Sequence, residues 1–222
     1  KERVEEYTGL KVLGYVENEE EANLGSRFRA LVEGTQNKEA EDLIERTAEI
    51  LVKTVDLDGI ISLMKDLEIR EYQYPRKRDI KVSIAYDEAF SFYYSENLKL
   101  LERVCQVEHF SPIKDRKVPK CHLLYIGGGY PELYKEELSQ NKAMLSSIRE
   151  MAEGGAYIYA ESGGFMYLVE EIEGYPMVGI FKGKAYMTDR LQRFGYCNIK
   201  LREDSLLGKK GESLKANESH RS

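Results

Sequence analysis

The tightest constraint on the fold of this chain lies between Tyr157 and Leu168. Tyr157-Ile158-Tyr159-Ala160 is a run of strand-forming residues that ends abruptly at Glu161-Ser162-Gly163-Gly164, and a helix-like pattern, Phe165-Met166-Tyr167-Leu168, follows at once. That order predicts a strand turning sharply into a helix. Such a turn holds its central side chain in a strained, exposed pose, beside the helix N-terminus and unpaired backbone N–H groups. Acyl-transfer chemistry needs this geometry, which makes Ser162 the candidate nucleophile. A second apolar run, residues 121–126, ends the same way at Gly127-Gly128-Gly129.

Around these turns, strand and helix patterns alternate. Ile80, Val82 and Ile84 alternate as a strand, and Ser95 is placed to cap a helix through Leu98, Leu100, Leu101 and Val104. Residues 107–110 read as a second strand, closed by Ser111-Pro112. Residues 131–139 and 142–153 read as helices, the latter stopped by Gly154-Gly155. The helix after Ser162 is expected to run through Val169, with short β segments at 177–181, 184–187 and 195–201. Strands and helices at this spacing predict an α/β fold with a mostly parallel, doubly wound sheet.

The first 70 or so residues read differently. A short strand candidate at 11–16 precedes a polar stretch and then a long amphipathic pattern from Lys38 to Lys65. Leu43, Ile44, Thr47, Ile50 and Leu51 fall on one face of that pattern. One strand and one or two helices cannot bury a core alone, so this segment reads as the end of a larger unit. Residues 71–78, with Pro75 and a run of charges, read as a linker. The expected division is 1–75, the end of a preceding domain with its linker, and 76–222.

Composition narrows the function classes. A net charge of -6 and the lack of a basic stripe interleaved with aromatics argue against nucleic acid as a partner. Arg76-Lys77-Arg78 and Arg116-Lys117 read as solvated loops, since tracking a phosphate backbone takes several basic residues on one face. No apolar run approaches the ~20 residues of a membrane span, and no signal-peptide pattern opens the chain. Cys105, Cys121 and Cys197 are isolated, with no C-x-x-C pair. The expectation is neither a disulfide nor a bound metal, and a cytoplasmic location.

In open α/β sheets ligands bind outside the carboxyl ends of the strands, where both glycine turns fall. Backbone N–H groups of Gly128, Gly129 and Gly163 are therefore candidate oxyanion donors. One such donor is worth roughly 10²–10³ in rate. A serine also needs a base, and the chain has three histidines. His122 begins its strand, away from the glycine turns, and reads as structural. His109 lies near the end of its strand and can approach the site, though a core or loop role suits it too. His220 follows the late β segments, so either it is a base returned to the site by the chain end or it lies in a surface tail.

Several longer motifs carry a resemblance. Residues 86–98 (Tyr86-Asp87-Glu88-Ala89-Phe90-Ser91-Phe92-Tyr93-Tyr94-Ser95-Glu96-Asn97-Leu98), 124–133 (with Gly127-Gly128-Gly129-Tyr130-Pro131), 158–168, 175–179 and 204–208 resemble, in order, the amidotransferase half of the cobyrinic acid a,c-diamide synthase family. The resemblance spans residues 80–222 and extends weakly over Val12-Leu13-Gly14-Tyr15 and Val55-Asp56-Leu57-Asp58, which look like the end of the family's ATP-binding domain. It implies a class I type glutamine amidotransferase fold and a two-part enzyme. One part would release ammonia from glutamine. The other would use ATP and Mg²⁺ to activate corrinoid carboxylates for amidation in cobalamin biosynthesis. A relative that amidates nickel sirohydrochlorin carries similar motifs, and a homodimer is a possible assembly.

On this resemblance Ser162 stands where the family has cysteine, and His220 matches the family's base. Two departures bear on activity. An alcohol depends wholly on its base, whereas a thiol is already partly ionised at neutral pH. Beside His220 the chain reads Ala216-Asn217-Glu218-Ser219-His220-Arg221-Ser222, without the family's aromatic neighbours. No G-x-x-x-x-G-K-[ST] phosphate loop occurs, so no cofactor is expected on this chain itself. The alternatives are a glutaminase-inactive module that binds or scaffolds a synthetase partner, and a serine hydrolase.

Overall fold

In the computed structural model, residues 2–16, 38–65 and 73–222 are described, and the chain parts into two units, Lys1–Gln73 and Tyr74–Ser222. The first unit contains α1 (Glu2–Thr8), α2 (Lys38–Thr54) and α3 (Leu57–Leu63). The long amphipathic pattern is two helices. The break falls where Val55 bridges to Gly14 and Asp56 caps α3, its carboxylate accepting from Gly59 N–H at 2.9 Å. That single bridge replaces the expected strand at 11–16. No described residue of this unit is buried, and Ile44, Val52, Ile61 and Leu63 are exposed. The side chain of Leu43, the polar stretch at 17–37 and the first two linker residues lie outside the described residues.

The second unit is built on four parallel strands: β1 (Lys81–Ala85), β2 (Gln106–Phe110), β3 (Leu123–Ile126) and β4 (Tyr157–Ala160), in the order β2-β1-β3-β4. Between β1 and β2 runs α4 (Ser95–Val104). Between β3 and β4 run a 3₁₀ turn (Pro131–Leu133), α5 (Lys135–Gln140) and α6 (Lys142–Glu153). The chain winds outward from β1 in one direction and from β3 in the other. The switch point of this doubly wound sheet therefore lies between the carboxyl ends of β1 and β3.

Alternation along the strands explains the core. Leu124 and Ile126 point to one face, where Phe90, Leu138, Met144, Leu145, Ile148 and Tyr167 close a buried cluster. Each such side chain removed from water contributes about 1.5–3 kcal/mol. Asn141 ties this layer to the loop after β2. Its Oδ1 caps α6 at Met144 N–H (3.3 Å), while its amide donates to the carbonyls of Pro112 (2.8 Å), Ile113 (3.2 Å) and Asp115 (2.7 Å).

Beyond β4 come α7 (Gly163–Leu168), β5 (Val169–Ile172), β6 (Tyr175–Pro176), β7 (Phe181–Ala185) and a hairpin of β8 (Arg193–Lys200) and β9 (Ser213–His220). Here the sequence expectations need correcting. The helix ends at Leu168, because Val169 and Ile172 turn inward from a strand. In the segment expected as a strand at 177–181, residues 177–180 form a loop and only Phe181 is in a strand, the start of β7: Met177 and Val178 are buried, and Gly179 takes a φ of 74°. Ser95 does not cap α4. Tyr94 occupies that position without a side-chain bond, and Ser95 Oγ donates to Glu96 instead. β9 has only Leu214 and Ala216 as apolar residues, too short an alternation to announce it.

Candidate active site

Ser162 stands between β4 and α7 at φ 51°, ψ -121°, exposed and with no side-chain capping bond. Among the described residues it shares positive φ without being glycine only with Glu173. A non-glycine residue held there costs on the order of 1–3 kcal/mol, which the surroundings must over-determine. They do so through close backbone approach. A Cβ on Gly164 would lie 2.2 Å from the Ile126 carbonyl oxygen, and one on Gly163 2.8 Å from that of Gly129. Gly164 N–H donates to the carbonyls of Gly127 (3.0 Å) and Glu161 (2.9 Å), which fastens the elbow to the end of β3. Glycine is required because the helix start lies directly against the main chain of the β3 turn and the Pro131 ring.

The turn after β3 is packed from its other side by the loop after β1. A Cβ on Gly129 would lie 2.0 Å from the Ala89 carbonyl, and one on Gly127 2.4 Å from the Tyr93 ring. Tyr93 Oη accepts from Gly127 N–H at 2.8 Å and donates to the Ala85 carbonyl. Burial pushes the Tyr93 hydroxyl well above the ordinary tyrosine range, so it stays a donor at neutral pH. Asp87 shapes the same loop. One carboxylate oxygen accepts from the N–H groups of Ala89 (2.9 Å) and Phe90 (3.2 Å), the other from Ser111 Oγ (2.8 Å) and Ile113 N–H (2.9 Å). Burial pushes the Asp87 carboxyl up, against the lowering effect of these donors.

Of the three candidate oxyanion donors, Gly128 is bridged to Phe92, whose N–H donates to its carbonyl at 3.1 Å. That bond uses the Gly128 carbonyl, and the N–H groups of Gly128, Gly129 and Gly163 all donate no hydrogen bond among the described residues; the main chains of Gly129 and Gly163 are in contact. Among the described residues no group of three or more His, Cys, Asp or Glu could hold a metal.

The histidines fall in three places. His122 is structural: its N–H donates to the Lys81 carbonyl and its Nδ1 accepts from Lys81 N–H, both at 2.9 Å. His109 lies exposed on the edge strand β2, its ring edge-on to Tyr86 with centroids 5.4 Å apart. His220 is exposed at the end of β9, opposite Arg193, with Nδ1 2.8 Å from the Ser222 carbonyl oxygen. No hydrogen bond among the described residues joins it to Ser162. The elbow and the glycine turns come together by main-chain contact, and His220 is carried on the hairpin.

Sequence reasoning passed over a neighbouring set. Tyr125 and Tyr159 are register partners on β3 and β4, and their hydroxyls donate to the two oxygens of the Glu161 carboxylate at 2.7 and 3.1 Å. Burial, then the Glu161 carboxylate, pushes Tyr159 up to about 12 and Tyr125 higher still. The available signal was the two-residue spacing of Tyr159 and Glu161, which puts both on one side of the strand.

An α/β sheet with an exposed, strained serine on a strand-to-helix elbow defines the class. Residues 81–222 match the model of the CobB/CobQ-like glutamine amidotransferase domain, and the chain belongs to that family. It is 39% identical to the cobyrinate a,c-diamide synthase of Clostridium tetani, over 100% of this chain and 52% of that protein. It is likewise 39% identical to the enzyme of that name from Methanocaldococcus jannaschii, over 95% of this chain and 48% of the other. The chain thus spans about half the length of the curated relatives it matches. A solved crystal structure of a glutamine amidotransferase aligns with TM-score 0.42 and 17% identity, over 64% of this chain and 71% of that one. No helix among the described residues is long and apolar enough to cross a membrane.

Proposed function

We propose that this chain is the glutamine-binding and ammonia-releasing portion of an enzyme that amidates corrinoid carboxylates, as a cobyrinate a,c-diamide synthase does. The observation that carries the reading is Ser162 itself, exposed at positive φ beside the unbonded N–H groups of Gly129 and Gly163, in a chain of the amidotransferase family. Ser162 Oγ would attack the carboxamide carbon of glutamine while its proton passes to a base, the role we assign to His220. The oxyanion would be received by Gly129 and Gly163. Collapse of the intermediate would return the proton to the departing nitrogen as ammonia, and water would then cleave the glutamyl ester. ATP and Mg²⁺ belong, on this reading, to the synthetase part of the longer enzyme, and no step here passes through them.

A second reading has its own support. Ser162 Oγ makes no hydrogen bond to His220, so the alcohol has no base in contact. A chain in this arrangement would bind glutamine without turning it over. A glutaminase assay separates the two: ammonia release above a Ser162→Ala control supports turnover, and release equal to that control leaves the binding module.

A further inference from the structure

The cluster of Tyr125, Tyr159 and Glu161 has no part in the attack on the carboxamide, and its construction points to a ligand. Both hydroxyls donate to Glu161, one to each carboxylate oxygen, so the side chain is held from two neighbouring strands. Each oxygen keeps further acceptor capacity, because a carboxylate offers about four lone-pair sites in all. The Glu161 side chain is nevertheless exposed, and no lysine or arginine pairs with it among the described residues. A fixed carboxylate without a cationic partner therefore stands one residue before the nucleophile.

The fixed, unpaired carboxylate favours a cation. Tyr159 packs against Tyr125 and Tyr125 against Tyr93, each edge-on with ring centroids 5.2 Å apart, and the carboxylate meets the hydroxyls of the first two rings. A carboxylate held in this way offers an ammonium group a charge-assisted hydrogen bond. Successive Cα atoms are about 3.8 Å apart, so Glu161 is within the length of one amino-acid molecule of Ser162. We propose that the Glu161 carboxylate, fixed by the hydroxyls of Tyr125 and Tyr159, receives the α-ammonium of the substrate amino acid while its side-chain carboxamide meets Ser162. This rests on the glutamine reading above and adds the residue that would select an amino acid over other carboxamides.

The test is a calorimetric titration of the chain with L-glutamine and with glutaramate, which keeps the carboxamide and carboxylate but lacks the amino group. The unaltered chain should bind glutamine more tightly. Glu161→Gln should weaken glutamine binding about ten- to a hundredfold, the range for a hydrogen-bonded charge, and leave glutaramate unchanged. Tyr125→Phe/Tyr159→Phe, which keeps the rings and frees the carboxylate, should weaken glutamine alone by a smaller factor. Equal loss for both compounds in Glu161→Gln would make the carboxylate a support of the elbow and overturn the proposal, as would no loss for either. If the unaltered chain binds glutaramate as tightly as glutamine, this inference falls while the carboxamide site stands. If it binds neither, the glutamine reading falls first and takes this inference with it.

Discussion

The two halves of the proposed chemistry sit on parts of one unit that are built in different ways. At the elbow, Ser162 is defined by close packing: the main chain of α7 on the end of β3, and the β3 turn on the Ala89 carbonyl and the Tyr93 ring of the loop after β1. The hairpin that carries His220 is a continuous ladder from Arg193–His220 to Lys200–Ser213, yet none of its residues is buried, with Phe194 79% and Tyr196 94% exposed. Its base is tied to the preceding loop by Thr188 and Gln192, whose N–H groups donate to the carbonyls of Arg221 (2.8 Å) and His220 (2.9 Å). A two-stranded hairpin alone is marginal in water. The geometry of Ser162 is therefore set by packing, whereas the position of His220 is set by a short tether, and the nucleophile–base pair proposed for them needs both within about 2.6–3.2 Å.

The largest effect should come from giving the elbow the nucleophile that depends least on that tether. Ser162→Cys is expected to raise glutaminase activity by roughly 10³-fold or more, because a thiol is partly ionised without help. Adding His220→Ala to that variant sharpens the comparison. Loss of the gain would mean that the hairpin reaches the elbow during turnover; retention of it would assign no catalytic part to the hairpin. Ammonia release measured across the three proteins decides the matter.

Next in size is a matched pair of glycine substitutions. Gly164→Ala would drive a methyl into the Ile126 and Gly127 carbonyls, 2.2 and 2.7 Å away, and should cost about 3 kcal/mol of unfolding free energy. Gly195→Ala on the hairpin meets nothing within 4 Å and bears only the strain of its φ of 133°, about 1 kcal/mol. Urea denaturation of both variants checks the contrast. Equal losses would break it and make the hairpin as tightly determined as the elbow.

The same contrast separates the features that are legible in the amino-acid sequence from those that are not. Alternation in β1 and the apolar run of β3 announce buried parallel strands, because strands covered on a face must carry apolar side chains there. The elbow is legible for a related reason: Ser162-Gly163-Gly164 after a strand leaves few backbone solutions. β9 is not legible, since Ser213-Leu214-Lys215-Ala216-Asn217-Glu218 buries little and a two-stranded ladder in solvent imposes no hydrophobic pattern. Nor is the tie from Tyr125 to Glu161, which depends on the register of β3 against β4. In the unit Lys1–Gln73 the amphipathic pattern is visible, but Asp56 as a cap makes it two helices. Periodicity reports which residues seek a core; it does not report where a carboxylate interrupts the helix.

The smallest effects test strain directly. Ser162→Gly removes the nucleophile, but glycine occupies φ 51° without a Cβ penalty. It should therefore stabilise the chain by about 1 kcal/mol, the strain released, and raise the urea midpoint with an unchanged m-value. His220→Ala should shift stability by no more than about 0.5 kcal/mol, as for an exposed side chain. A stabilised Ser162→Gly beside a neutral His220→Ala would mean that the elbow stores strain for its nucleophile and the hairpin stores none for its histidine. A destabilised Ser162→Gly would mean that the serine side chain holds the turn together, and the reading of Ser162 as a strained nucleophile would fail with it.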